Sequence, residues 1–345
     1  MHIINIAMYS SIVIRSFYFM YNYDSVEYLM ARMNMVMKES GSFAFDKYTM
    51  KRGRRLADMA LLVWQGFVWG CGLLFSFSPL FKSNKELPLP MWLFYDWTTE
   101  ANFYITLLLQ TFAQVFMVCC FANIEMFNIC FHILMQHQFE LLGNDFKFMI
   151  PNVLHNCGMS RTEVEEYMEN PNDSKLIQMV DEISNDTEFK SGVLENLHVC
   201  IAHHQRLLAY RDEFYEFISP LLIIELNFIF AYMIFVLFTI VTTDNKAMYM
   251  ALVTYFFAIL TQVFIITFFG ERLTNKAEEL RTILFKMPWY ICDRNFLLDF
   301  KFLQMRVAKN NYLQAGKLMP ISLEVCMEFI KKAASFFAVL RQVNE

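Results

Sequence analysis

The chain has 345 residues, of which 56% are hydrophobic, 17% aromatic and only 18% charged, with a formal net charge of −5. This is too apolar for an ordinary soluble domain of that length, and without a basic cluster nothing points to nucleic acid as a partner, so the composition places the chain in a membrane. The eight cysteines form no CxxC pair and half of them sit in or beside apolar runs, which argues against a disulfide framework or a zinc site.

A membrane span needs about 20 mostly apolar residues. Six stretches meet that length: 3–21, 56–80, 102–126, 217–241, 248–269 and 319–343. The first is interrupted by Arg15, and the last carries Glu324, Glu328, Lys331, Lys332 and Arg341. The segments between them differ in charge. Residues 22–55 hold seven Lys and Arg and residues 270–318 hold nine, whereas 81–101 hold two and 242–247 one. Basic loops stay on the cytoplasmic side, which puts 22–55, 270–318 and the long 127–216 segment inside and the C-terminus outside. By the same logic Met1 starts outside, so an earlier span is expected to precede the six, giving seven with an inside N-terminus.

Two glycosylation sequons, Asn172-Asp173-Ser174 and Asn185-Asp186-Thr187, fall in the 127–216 segment and stay unmodified on this topology. Apolar residues recur at helical spacing in "FNICFHILMQHQFELL", "LHVCIAHHQRLLAYRDEFYEFI" and "LTNKAEELRTILFKMPWY". The spans are therefore expected to continue as helices into the cytosol. Residues 157–190, acidic and rich in Asn and Ser, read as a flexible loop.

Four stretches resemble insect odorant receptors. They are "FFGERLTNKAEELRTILFKMPWY" at 268–290, "LMPISLEVCMEFIKKAASFFAVLRQV" at 318–343, "LPLPMWLFYDW" at 87–97 and "HHQRLLAYRDEFYEFIS" at 203–219. Their order and spacing, with the inverted topology, run from the family's second helix to its last. The resemblance implies an all-α integral membrane protein, a single-domain seven-helix channel subunit with six spans present here and long helices in a cytosolic anchor formed from 127–216 and 270–318. It also implies an odorant-gated, non-selective cation channel in the plasma membrane of olfactory sensory neurons, assembled with a shared co-receptor as a heterotetramer. A small volatile hydrophobic ligand would bind in the outer half of the membrane among the family's helices two, three, four and six, which are the first, second, third and fifth spans of this chain. The second part of the last helix would line the pore for permeating cations.

On that last helix, Lys332, Ser335 or Phe336, Val339 and Val343 share a column, being three or four residues apart. A ring of branched apolar residues in a narrow pore expels water and stops ions. Aligned on the family pattern, Val339 and Val343 are the gate candidates, with Gln342 beside them able to contact a cation. Packing against neighbouring helices is the simpler alternative for both valines. Glu328 is spaced to pair with Lys331 or Lys332.

A volatile ligand wants an aromatic and aliphatic cavity with one or two polar handles. The candidates are Tyr9 and Ile12 in the first span, Trp64, Phe67, Trp69 and Gly70 in the second, Tyr104, Ile105 and Leu108 in the third, and Tyr249, Tyr255 and Phe256 in the fifth. Each could equally be ordinary packing. Gly66 and Gly70 form a GxxxG that either marks close helix contact or makes room for a ligand. His203-His204 has no carboxylate or cysteine at metal-ligand spacing, and no cofactor or catalytic motif of the P-loop, HExxH or GxSxG kind occurs, so no enzyme is expected. The alternatives are a gustatory receptor of the same superfamily, whose closing Thr-Tyr motif "ASFFAVLRQV" does not match, and a G-protein-coupled receptor, whose DRY and NPxxY signatures are missing. A secondary transporter would show internal repeats, and none is visible.

Overall fold

The structure is a computed structural model that describes residues 2–39, 44–77, 87, 93–96, 98–170, 173–242, 246–308, 314–315 and 319–344; a few helical side chains, among them those of Cys71, Tyr255 and Val343, also lie outside the description. The described residues fold almost entirely as helix: α1 (His2–Tyr21), α2 (Tyr23–Glu39), α3 (Ala44–Phe77), α4 (Glu100–Asn156), α5 (Arg161–Glu169), α6 (Ser174–Ser184), α7 (Thr187–Thr242), α8 (Lys246–Lys286), α9 (Arg294–Val307) and α10 (Leu323–Asn344). A 3-10 turn at Trp289–Ile291 separates α8 from α9, and Gln314–Ala315 pairs antiparallel with Met319–Pro320 before α10.

Length decides what the two longest helices do. At 1.5 Å per residue the 57 residues of α4 reach about 85 Å, nearly three times the thickness of a bilayer's hydrocarbon core. More than half of α4, and of the 56-residue α7, must lie beyond the apolar layer. Among the described residues α4, α7 and the Phe256–Lys286 part of α8 are long and apolar enough to cross a membrane by length and composition. The other three expected spans fall on α1, on α3 with residues 78–80 outside the description, and on α10, whose helix begins at Leu323 because Met319–Pro320 is taken up by the short ladder.

The largest core is built by the C-terminal half of α4 and the N-terminal half of α7. Phe139, Leu142, Phe146, Met149, Ile150 and Leu154 of α4 are almost fully buried against Leu197, Leu207, Tyr210 and Phe214 of α7, with Leu280 and Leu284 of α8 and Phe296 and Phe300 of α9 closing the cluster. The Phe131 and Phe214 rings stack where α4 meets α7. α2 is tied on by Tyr210 Oη–H donating to the Leu29 carbonyl at 3.0 Å and by an Arg32–Glu213 ion pair at 2.6 Å. Residues 22–55, expected as a loop, are thus largely the helix α2 and the first turns of α3.

Residues 157–190 also depart from expectation: they form α5 and α6 rather than a flexible loop. Val164 and Tyr167, and Leu176 and Val180, are buried pairs three or four residues apart, enough to pin two short helices to the core. Ser160 and Glu163 form a capping box, and the Asp173 carboxylate accepts from the Lys175 and Leu176 N–H groups. The acidic, Asn-rich composition is that of capped helix ends. Of the two sequons, Asn185 closes α6 and Asn172 lies outside the described residues.

Two buried histidines give this core a pH dependence. His132 Nδ1–H donates to the Asn128 carbonyl at 2.8 Å, which leaves Nε2 to accept from Tyr215 Oη–H at 2.7 Å. Burial pushes His132 down to about 4, and burial together with Arg306 and Arg211 pushes His204 down to about 4. Both bind a proton more readily unfolded, near 6.5, than folded. Their contribution is complete above pH 6.5 and is lost as pH falls toward 4. The melting temperature of the purified protein is therefore expected to drop across that window, which a thermal unfolding series in pH reads directly.

Candidate functional site

One cavity of about 240 Å³ lies between helices of the bundle, lined by α1, α3, α4, α7 and α8. Every helix contributes residues three or four apart, and therefore one face: Tyr9 and Ile12, with Ser11 and Arg15, from α1; Trp64, Phe67 and Val68 from α3; Gln114, Met117, Val118 and Phe121 from α4; Glu225, Ile229, Tyr232 and Val236 from α7; Ala258, Ile259 and Gln262 from α8. Gly72 of α3 also borders it, and a Cβ there would stand 2.9 Å from Val118 Cγ2, so the glycine lets α3 and α4 close on one another. The wall is mostly apolar, and the Trp64 ring sits 6.3 Å from Phe67 and 6.2 Å from Phe121.

The polar groups of the cavity are largely paired with each other. Arg15 Nη2 lies 2.5 Å from Glu125 Oε1 and 3.3 Å from Glu225 Oε2, with all three side chains no more than 4% exposed. Gln262 Nε2–H donates to Glu225 Oε1 at 2.6 Å, and Tyr9 Oη–H donates to Gln114 Oε1. A guanidinium between two carboxylates keeps charge inside an apolar bundle only because each member has a partner. Three groups stay over: the Arg15 Nε–H, the Trp64 Nε1–H and the Tyr232 hydroxyl are buried and have no hydrogen-bond partner among the described residues.

Of the twelve sequence candidates for ligand contact, Tyr9, Ile12, Trp64 and Phe67 line this cavity. Seven of the other eight do not, and the eighth, Tyr255, has its side chain outside the described residues. Trp69 donates to Gln65 one turn back on its own helix, and a Cβ at Gly70 or Gly66 would meet nothing within 4 Å, so the GxxxG marks no close helix contact. Tyr104, Ile105 and Leu108 point away from the bundle because Phe103, Thr106, Leu107 and Gln110 take the inward positions of that stretch. Tyr249 is half-exposed and Phe256 packs against the main core. α7 was not expected to contribute, yet it supplies Glu225 and Tyr232. The signal for the triad was present: each of three apolar stretches holds one charge at depth, Arg15, Glu125 and Glu225, of opposite sign and mutually sufficient.

The last helix has two distinct faces. Val325, Cys326, Phe329 and Ala333 are buried against the bundle, whereas Glu328, Lys332, Ser335, Val339 and Gln342 form an exposed stripe at alternating steps of four and three. Lys332 Nζ reaches Glu328 Oε2 at 3.3 Å along that stripe, and Val339 is 54% exposed. The Val343 side chain lies outside the described residues. The start of α10 is gripped by α8. Leu323 N–H donates to Glu271 Oε2 at 2.6 Å, and a Cβ at Gly270 would collide with Ile321 Cγ2, so only glycine permits that approach.

A family model described as 7tm Odorant receptor matches residues 3–334. Odorant receptor 83a of Drosophila melanogaster is 20% identical over 336 residues, covering 92% of this chain and 74% of that protein, and putative odorant receptor 92a of the same species is 27% identical over 168 residues, covering 46% and 40%. Among solved structures, the insect olfactory receptor OR5 from Machilis hrabei superposes with a TM-score of 0.67 at 12% identity, covering 99% of this chain and 81% of that one. The same receptor in complex with eugenol gives 0.66 at 13% identity. With helices long enough to cross a membrane several times and a family match along nearly its whole length, the chain belongs to the 7tm odorant receptor family of multi-pass membrane receptors.

Proposed function

We propose that this chain is the odorant-binding subunit of a ligand-gated, non-selective cation channel, assembled with a co-receptor as a heterotetramer in the plasma membrane of olfactory sensory neurons. The observation that carries the reading is the mainly apolar cavity among five helices, set apart from an exposed stripe on α10. A cavity of about 240 Å³ is smaller than the roughly 300–1,000 Å³ of drug-sized sites and suits a volatile molecule. The Machilis hrabei receptor solved in complex with eugenol shares the fold.

The connection from cavity to pore runs along α8. Ala258, Ile259 and Gln262 face the cavity, and two turns further on Gly270 and Glu271 hold the first residues of α10. A ligand that fits the cavity better when α8 is displaced favours the arrangement with α10 displaced, which is all that gating requires thermodynamically. The α10 stripes of four subunits would line the pore, with Val339 and Val343 as the constriction and Gln342 at the outer mouth. On this reading the C-terminus is extracellular, as the basic content of 22–55 and 270–318 suggests.

Whole-cell recording from cells expressing this receptor with an odorant co-receptor tests the reading. Odorant-evoked cation currents are expected to persist when a non-hydrolysable GDP analogue in the pipette blocks G-protein signalling. Currents abolished by that block would place the receptor in the G-protein-coupled class.

A further inference from the structure

We infer that the odorant class taken by this cavity is neutral molecules carrying an oxygen acceptor, that is ketones, aldehydes, esters and ethers, and that the Trp64 indole N–H is the group that recognises the oxygen. The inference rests on the odorant-binding reading and narrows it.

The argument is an account of donors and acceptors. Of the acceptors lining the cavity, Glu225 receives Gln262 on one oxygen and Arg15 on the other, and Gln114 Oε1 receives Tyr9, while the Tyr232 hydroxyl, unpartnered among the described residues, can donate or accept. The carboxylate and amide oxygens that line the cavity thus each hold a donor already. The donors are not used up in the same way. Trp64 lines the cavity at 8% exposure, and its Nε1–H has no partner among the described residues; the Arg15 Nε–H is likewise buried and unpartnered. A buried donor left unmade costs the full desolvation of the group, so an occupant that supplies an acceptor gains against one that does not. An indole nitrogen can only donate.

Charge narrows the class further. Arg15 is already shared between two carboxylates, so an anionic ligand would meet an excess of negative charge beside the only guanidinium lining the cavity. A hydrocarbon of the right shape would satisfy the apolar wall formed by Phe67, Phe121 and Ile229 and leave the Trp64 N–H unmade. A neutral acceptor answers both groups of observations.

The test uses isosteric pairs that differ only in the acceptor: acetophenone against α-methylstyrene, anisole against ethylbenzene, and heptan-2-one against 2-methylhept-1-ene. Each is applied to cells expressing the receptor with its co-receptor, and in parallel to the purified receptor with thermal stabilisation as a binding readout that does not depend on gating. In every pair that acts, the oxygenated member is expected to work at about tenfold lower concentration than its hydrocarbon partner. Trp64→Phe, which keeps the ring and loses the N–H, is expected to bring that ratio close to one, and Trp64→His, which retains a ring N–H, to keep part of it. Equal potency within pairs on the wild-type receptor overturns the inference and leaves the odorant-binding reading standing; that comparison decides even where Trp64→Phe fails to reach the surface. A preference unchanged in a folded Trp64→Phe receptor overturns the assignment to Trp64. Stabilisation with the oxygen preference but without current supports the inference and counts against the channel reading. Neither current nor stabilisation from any member of any pair overturns the inference together with the odorant-binding reading.

Discussion

Arg15→Met is expected to leave little folded receptor at the cell surface. The substitution fits the space of the arginine stem, so the loss is electrostatic. Without the guanidinium, Glu125 and Glu225 stand buried beside each other with their partner gone, inside a bundle where both are nearly inaccessible to water. Removing one member of a buried ion pair costs about 3–5 kcal/mol, set against a total stability on the order of 5–15 kcal/mol for a folded domain. Surface biotinylation and the melting temperature of detergent-extracted receptor read the effect. Neutralising all three groups, as Arg15→Met with Glu125→Gln and Glu225→Gln, is expected to recover much of the loss, because a whole buried triad replaced by neutral groups is close to neutral in stability. A single Arg15→Met variant with wild-type surface level and melting temperature would show that the triad does not hold α1 to α4 and α7.

Val339→Ala combined with Val343→Ala is expected to raise the standing current in the absence of odorant several-fold. On α10 the side chains that hold the helix to its own bundle, Phe329 and Ala333 among them, are buried, whereas the stripe that carries Val339 is exposed. Trimming Val339 therefore leaves the packing of the single chain intact and acts on whatever that stripe faces. In a narrow ring, two shorter apolar side chains per subunit widen the constriction and lower the cost of wetting it. Holding current at fixed voltage, with and without a pore blocker, measures the leak. Unchanged currents at normal surface expression would put the gate elsewhere on the helix and leave the family assignment untouched.

Periodicity made parts of the long helices legible; in the C-terminal half of α4, Phe139, Leu142, Phe146 and Met149 repeat at steps of three and four, although that half is buried on almost every side. At α5 and α6 the acidic composition masked the periodicity: Val164 and Tyr167, and Leu176 and Val180, are spaced as buried helical pairs, and the capping residues Ser160, Glu163 and Asp173 mark where the helices start. The cavity was legible in part. Tyr9, Ile12, Trp64 and Phe67 were reachable as aromatic or branched residues in apolar stretches, but so were Tyr104, Ile105 and Leu108, and only the rotation of α4 about its axis tells an inward position from an outward one. Rotation is set by neighbours far away in sequence. The triad was hidden for the same reason. Arg15 looked like an interruption of a span because Glu125 and Glu225 lie 110 and 210 residues away, and a buried charge makes sense only with its partners in view.

The central claim is that odorant enters the five-helix cavity and opens the pore from there. Filling the cavity tests it most directly: Ile12→Phe with Ile229→Phe introduces two rings, one from α1 and one from α7, into a space of about 240 Å³. In cells expressing this variant with the co-receptor, the odorant-evoked current is expected to vanish or to need at least about a hundredfold more odorant, while current opened through a ligand of the co-receptor alone keeps its wild-type size. An unchanged odorant dose–response in the filled receptor would contradict the claim and move the ligand site away from this cavity.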